Sequence, residues 1–183
     1  MNNPPTLKIS LLLAALFVLP VAHAQVMSKV DYKAAKERIS ATYKSDKSAC
    51  ASLAANAKDV CVEQARATEK VARADLEYSH TGKAADRNKA RVAKAESTYA
   101  VAKERCDDLA GNPKDVCVKE AKAIEVSALD DARMGKEIGE ARRDAASDKL
   151  DAEYKVAIEK CDALAGDANA SCVMAAKSSF GKT

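Results

Sequence analysis

The chain has 183 residues, with 30 basic against 27 acidic side chains, six cysteines and no tryptophan. Charges of both signs are interspersed along it, which excludes the one-sided basic surface that neutralises phosphates, so no nucleic-acid partner is expected. Phe180 is the only phenylalanine after the first 24 residues; such an inventory excludes a large aromatic core, and the wealth of Ala, Lys, Glu, Asp and Arg favours long helices in an all-α fold.

Residues 1–24 read as an address. Lys8 gives a short n-region its only charge, and Ile9 to Val21 form an apolar run interrupted by Ser10 and Pro20. Ala22-His23-Ala24 then places small residues at −3 and −1 of a cut before Gln25. Positive flank, short apolar stretch and A-x-A site predict a cleaved secretory signal peptide. The run of 13 residues is shorter than the roughly 20 a spanning helix needs. No cysteine follows the cut, so a lipid anchor is not expected either. No later apolar stretch approaches membrane-spanning length, so no transmembrane segment is expected after cleavage.

Beyond the signal, three segments of 24 residues align without a gap. They are YKSDKSACASLAANAKDVCVEQAR from Tyr43, YAVAKERCDDLAGNPKDVCVKEAK from Tyr99 and YKVAIEKCDALAGDANASCVMAAK from Tyr154, starting 56 and 55 residues apart. Repetition at such a period marks stacked supersecondary units. The expected division is 25–82, 83–138 and 139–183, one helical hairpin in each.

The middle of the unit carries that reading. In the second copy Gly111 follows a helical run, and Asn112-Pro113 opens the next. Glycine past a helix end, an Asn cap and proline at the first helical position punctuate two helices. Asp115, three residues after Asn112, has a capping-box-like placement. The third copy keeps Gly166-Asp167; the first has Ala55-Asn56, a weaker stop.

Cys106 lies five residues before Gly111 and Cys117 five residues after Asn112. On one straight helix, eleven residues would hold them roughly 16 Å apart, whereas a disulfide needs Cα atoms about 5.5 Å apart. Folding back at the turn brings equivalent positions of two antiparallel helices together. Six cysteines allow 15 connectivities; the proposed pairs are Cys50–Cys61, Cys106–Cys117 and Cys161–Cys172, in an oxidising compartment where such bonds persist. Each bond should contribute about 3 kcal/mol by restricting the unfolded chain. That matters because the second unit offers few sizeable apolar residues: Tyr99, Val101, Leu109, Val116, Val118 and Ile124. Tyr99, Cys106 and Leu109 have the spacing of a coiled-coil seam.

Between the units, helix signals weaken at Ser79-His80-Thr81-Gly82, which reads as a break, and more softly from Met134-Gly135 to Gly139. Pairs such as Glu69–Arg73 and Asp151–Lys155 support exposed helix. Bends at those sites would give three separate hairpins; continuous connectors of about 50 residues would merge them into a long antiparallel bundle. The first is expected in the first half of the chain, and both stay open in the second.

Chemistry needs a base, a nucleophile and a pocket, and the sequence offers no such set. His80, the one histidine after the signal, reads as a solvent-exposed linker residue. Asp115 recurs as Asp59 but is Ala170 in the third copy, which fits a cap better than a catalytic acid. The ten residues between paired cysteines are unlike a C-x2-C zinc site or a redox C-x-x-C. Gly181-Lys182-Thr183 echoes a phosphate loop, but Ala176 stands where that motif needs its first glycine. No catalytic, cofactor-binding or metal residue is assigned, no cofactor is expected and enzymatic activity is not expected. Asn169-Ala170-Ser171 matches a glycosylation acceptor within the third turn, where such residues are ordinary.

The repeat Tyr…Cys-Asp-x-Leu-Ala-Gly-Asn-x-Lys-Asp-Val-Cys-Val-x-Glu-Ala-Lys resembles a group of small exported Ala/Lys-rich proteins of Gram-negative bacteria, some named after the envelope protein TolA. The likeness to TolA itself is confined to Ala/Lys-rich helix. The resemblance implies a periplasmic location and brings no activity or functional residue with it. The expected function is a periplasmic structural or protein-interaction module of the cell envelope, with an unidentified protein or envelope partner. A stress-protective or chaperone-like helper is the alternative, followed by a thiol-based metal or redox sensor. Ala-rich seams also allow copies to associate, so a homo-oligomer is compatible with the sequence.

Overall fold

The structure, a computed structural model, describes residues 27–182; the signal peptide read over 1–24 lies outside them. Five α-helices follow one another: α1 (Lys29–Ala49), α2 (Ala55–Thr81), α3 (Ala84–Cys106), α4 (Gly111–Asp162) and α5 (Gly166–Ser179), with a 3-10 turn at Cys50–Ser52 and no strand among the described residues. The fold is all-α and made of disulfide-stapled antiparallel hairpins, as the repeats predict.

Local chemistry starts and stops these helices. Ser28 caps α1, its Oγ accepting the Asp31 N–H at 3.1 Å, a first-turn placement that satisfies an otherwise orphaned donor. α2 runs through Ser79, His80 and Thr81 and ends at Gly82 in a left-handed cap (φ 64°), whose N–H donates to the Tyr78 carbonyl at 2.8 Å. The break is therefore two residues, Gly82 and Lys83, beginning at the last position of the expected four.

The weaker interruption at 134–139 is absent: α4 continues for 52 residues, a rod of about 78 Å. Gly135 lies inside it facing α3, where the Arg91 guanidinium reaches across over it. The junction between 138 and 139 falls within this helix.

Among the described residues each helix packs only against its neighbours in sequence: α1 on α2, α2 on α3, α3 on α4 and α4 on α5. The first three and the N-terminal half of α4 thus form one open layer of antiparallel helices, with no second layer behind it. Its buried apolar contacts are mostly small residues, Ala65 and Ala67 on α2, Ala90, Ala93 and Ala95 on α3, Ala121 and Ala132 on α4, joined by Leu76 and Val101. Side chains of that size let axes approach to the short end of the 8–10 Å range. The largest fully buried side chains are Cys50, Cys106 and Cys161, so the centre of each hairpin tip is its disulfide.

Beyond the layer α4 travels alone. Residues 141–150 are exposed on every side. The helix then meets α5, where Tyr154 packs edge-on against Phe180 (centroids 5.9 Å apart) and Lys182 pairs with Asp151. Asp151 was expected to pair with Lys155; Lys182, from the segment that follows α5, takes its place. Glu69–Arg73 forms as expected, at 2.7 Å.

Candidate functional site

The three tips share one geometry. Disulfides join Cys50 to Cys61, Cys106 to Cys117 and Cys161 to Cys172, with Cα separations of 5.6, 5.8 and 5.5 Å. No cysteine among the described residues is free, so thiol chemistry at these positions requires prior reduction of a bond. In each tip the leucine three residues on donates its N–H to the first cysteine's carbonyl: Leu53 at 3.1 Å, Leu109 at 3.0 Å and Leu164 at 2.9 Å. Two residues further the chain turns through a left-handed conformation, at Ala55, Gly111 and Gly166. Asp107 and Lys114 brace the second tip at 2.9 Å, and the Asp107 carboxylate holds the Lys114 ammonium above its usual pKa range. In the third, the Asn169 amide donates to the Cys161 carbonyl at 2.8 Å.

Two expectations about the tips are corrected. The helix after the turn begins at Gly111 with Ala110 in the cap position and no side-chain cap bond. Asn112 is not the cap, and Asp115 is exposed rather than folded back on the backbone. Leu109 does not continue a buried seam, because α3 ends at Cys106 and the heptad phase ends with it. Leu53, Leu109 and Leu164 are 42, 44 and 46% exposed, so each tip presents a leucine outward. Val116 and Ile124 are likewise exposed, whereas Val101 is buried.

His80 is not a free linker residue. It lies in α2, half-buried, its ring stacked on Tyr32 of α1 at 4.4 Å, with Nδ1 3.0 Å from the Met27 carbonyl. Tyr32 in turn donates its hydroxyl to Glu77 at 2.8 Å. That hydrogen bond, with desolvation and the carboxylate's charge added, holds the phenol above its usual pKa range. These residues tie the start of α1 to the end of α2, at the pole opposite the first disulfide.

Sequence reasoning passed over the buried acids. Asp86, on the first turn of α3, accepts the Thr81 hydroxyl at 2.7 Å and pairs with Lys89 at 2.8 Å. Both partners favour its charged form, Lys89 first, and hold its carboxyl below the usual range. Asp86 thereby fixes the turn between α2 and α3; an acid in the first helical turn after Gly82 was the available signal. Glu125 is buried on α4 and pairs with Lys122, whose ammonium it holds above its usual range while Nζ sits 5.0 Å from the Tyr99 ring centre.

Three parallel grooves run along one face of the helical layer. One lies between α1 and α2 (about 260 Å³), one between α2 and α3 (about 520 Å³) and one between α3 and α4 (about 360 Å³). Thr68 and Ala72 form the ridge between the first two, Lys94 and Thr98 the ridge between the second two. The face is corrugated, with Ala and Val in its furrows and charged residues on its rims. Among the described residues no three His, Cys, Asp or Glu side chains gather as a metal site, and no helix is long and apolar enough to cross a membrane.

No protein-family model matches this chain, and no curated protein or solved structure matches it either. Function has to be read from the geometry.

Proposed function

We propose that the chain is a non-enzymatic structural or protein-interaction module of the cell envelope, delivered to the periplasm by a cleaved signal peptide. Three disulfides fit an oxidising, extracytoplasmic compartment. The observation that carries the reading is the third hairpin. It is held off the four-helix layer by the fully exposed helical stretch 141–150, an arrangement that contributes nothing to the layer's packing. It serves display: a stapled tip with Leu164 and Met174 outward, at 46 and 65% exposure, stands clear of its own body. In vivo photocrosslinking from position 164 or 174 in intact envelopes is expected to capture a discrete partner, lost when Leu164 and Met174 become serine. Crosslinks only to the chain itself, with wild-type phenotypes for the double variant, would sink the reading.

The chaperone-like alternative is favoured by the large apolar side chains, from Val30 to Met174, that stand more than 40% exposed on charged helices. Its check is suppression of aggregation of a denatured client at near-stoichiometric ratio, and an inert protein removes it.

A further inference from the structure

We propose that the grooved face of the helical layer binds a second copy of this chain, face to face, about a two-fold axis lying parallel to the helices over the α2–α3 groove. The face is uncovered on an otherwise consistent fold. A single layer of helices buries one side of each helix at most, and closing a core takes a second layer.

Charge selects the occupant. Along the groove α2 presents Asp75, whereas α3 presents Lys94 and Arg105; on the outer helices α1 presents Arg38 and α4 Asp131. Among the described residues none of these five makes an ion pair within the chain, while Glu69 and Glu125 on the same face are already matched by Arg73 and Lys122. The proposed axis swaps α2 with α3 and α1 with α4 between copies. Contacts across the layer fix the heights: Ser40 meets Arg73, Lys70 meets Glu96 and Lys122 lies over Tyr99. Counting from them at about 1.5 Å per residue, Asp75 stands about one helical turn from Lys94, and Arg38 stands level with Asp131. Asp75 and Asp131 of one copy therefore meet unpaired bases of the other, an isologous match in which the same patch serves both subunits. Asp46 in the α1–α2 groove and Arg105 on α3 have no such counterpart.

The area is sufficient. Four helices at 8–10 Å spacing over the roughly 16 Å spanned by Gln64 to Asp75 give about 600 Å² per copy, at the lower end of specific interfaces. A dimer of micromolar affinity, weakened by salt, is the expected result. The inference rests on the scaffold reading for its biological use alone; self-association is measured whatever the envelope partner proves to be.

The test is sedimentation equilibrium of the oxidised protein at low and high salt, with two variants at exposed positions checked for unchanged helicity. Asp75→Lys should weaken the dimer at least tenfold, and adding Lys94→Asp to it should recover most of the loss. Carbodiimide treatment of a mixture of light and heavy-isotope protein should give light–heavy crosslinks between Asp75 and Lys94. A protein that stays monomeric at about 100 μM, or a dimer indifferent to Asp75→Lys, overturns the proposal. Failure to capture an envelope partner would leave it standing.

Discussion

Ala55 holds the backbone conformation that Gly111 holds in the second tip, φ 51° against 59°, although only the glycine adopts that region without a steric penalty. The first tip therefore turns through the same left-handed residue as the other two, but with a Cβ in the way.

Replacing Ala55 with glycine should stabilise the protein. A left-handed conformation costs an L-residue about 1–2 kcal/mol, and the extra freedom glycine gives the unfolded chain takes back about 0.4–1 kcal/mol. A net gain of about 0.5–1 kcal/mol is expected, read as a higher denaturant midpoint at unchanged slope. Gly111→Ala should lose a similar amount, since its Cβ would meet no other atom within 4 Å and strain alone acts. An Ala55→Gly protein less stable than its parent would show that the first tip is not strained.

Reduction should take the hairpins apart in a definite order. α5 is 14 residues long and packs only on the end of α4, a length at which an isolated helix is marginal in water. Its disulfide, worth about 3 kcal/mol in loop closure, is a large share of what holds it. α2 and α3 by contrast each have two helical neighbours. Hydrogen exchange with added reductant should lose protection over 166–179 first, while Ala90–Val101 stays protected. The double variant Cys161→Ala with Cys172→Ala should reproduce that pattern without reductant. Simultaneous loss along the whole chain would show that the third hairpin is not a separate unit of stability.

Much of this architecture was legible because the repeat states it three times. The cysteine spacing, the Gly111 and Gly166 turns and the break ending at Gly82 are local signals, each fixed by backbone chemistry within a few residues. What failed to read out depends on neighbours. Gly135 looks like a helix stop until Arg91 is found reaching across over it from α3. Leu109 looks like a seam residue until α3 is seen to end three residues earlier. His80 looked like a linker because its partners, Tyr32 and Met27, lie about fifty residues away in sequence. The open layer was the least legible feature. Ala-rich helix periodicity is the same whether one face or two are covered, and nothing in a single chain distinguishes a bundle from a sheet of helices.

Asp86 should shape the acid limb of stability. Its carboxyl titrates below the usual range because Lys89 and the Thr81 hydroxyl favour the charged form. A depressed folded-state value means stabilisation that is full above the unfolded value, near pH 4, and lost as pH falls through the folded one. Asp86→Asn should therefore melt lower than wild type at pH 7, and the gap should narrow as pH is lowered below about 4. Asp151, depressed by Lys182, adds to the same limb in both proteins and cancels in the difference. A gap between the two proteins that widens on acidification would contradict the pairing.

Ala145→Pro tests whether the display of the third hairpin depends on a continuous rod. Residue 145 sits in the middle of the exposed stretch, so the substitution disturbs no tertiary contact. Proline there removes a helical hydrogen bond and clashes with the preceding turn, a cost of about 3 kcal/mol confined to the rod. The four-helix layer should keep its unfolding midpoint and its exchange protection, and the third disulfide should still form. Spin labels at exposed Lys119 and Lys160 should report a single long distance in the parent, near the 60 Å of about 41 helical residues, and a broad, shorter distribution in the variant. If partner capture from position 164 survives that loss of direction, the rod is only a tether. If capture falls while the layer is intact, the 52-residue helix is the functional element, and the stapled tip is what it aims.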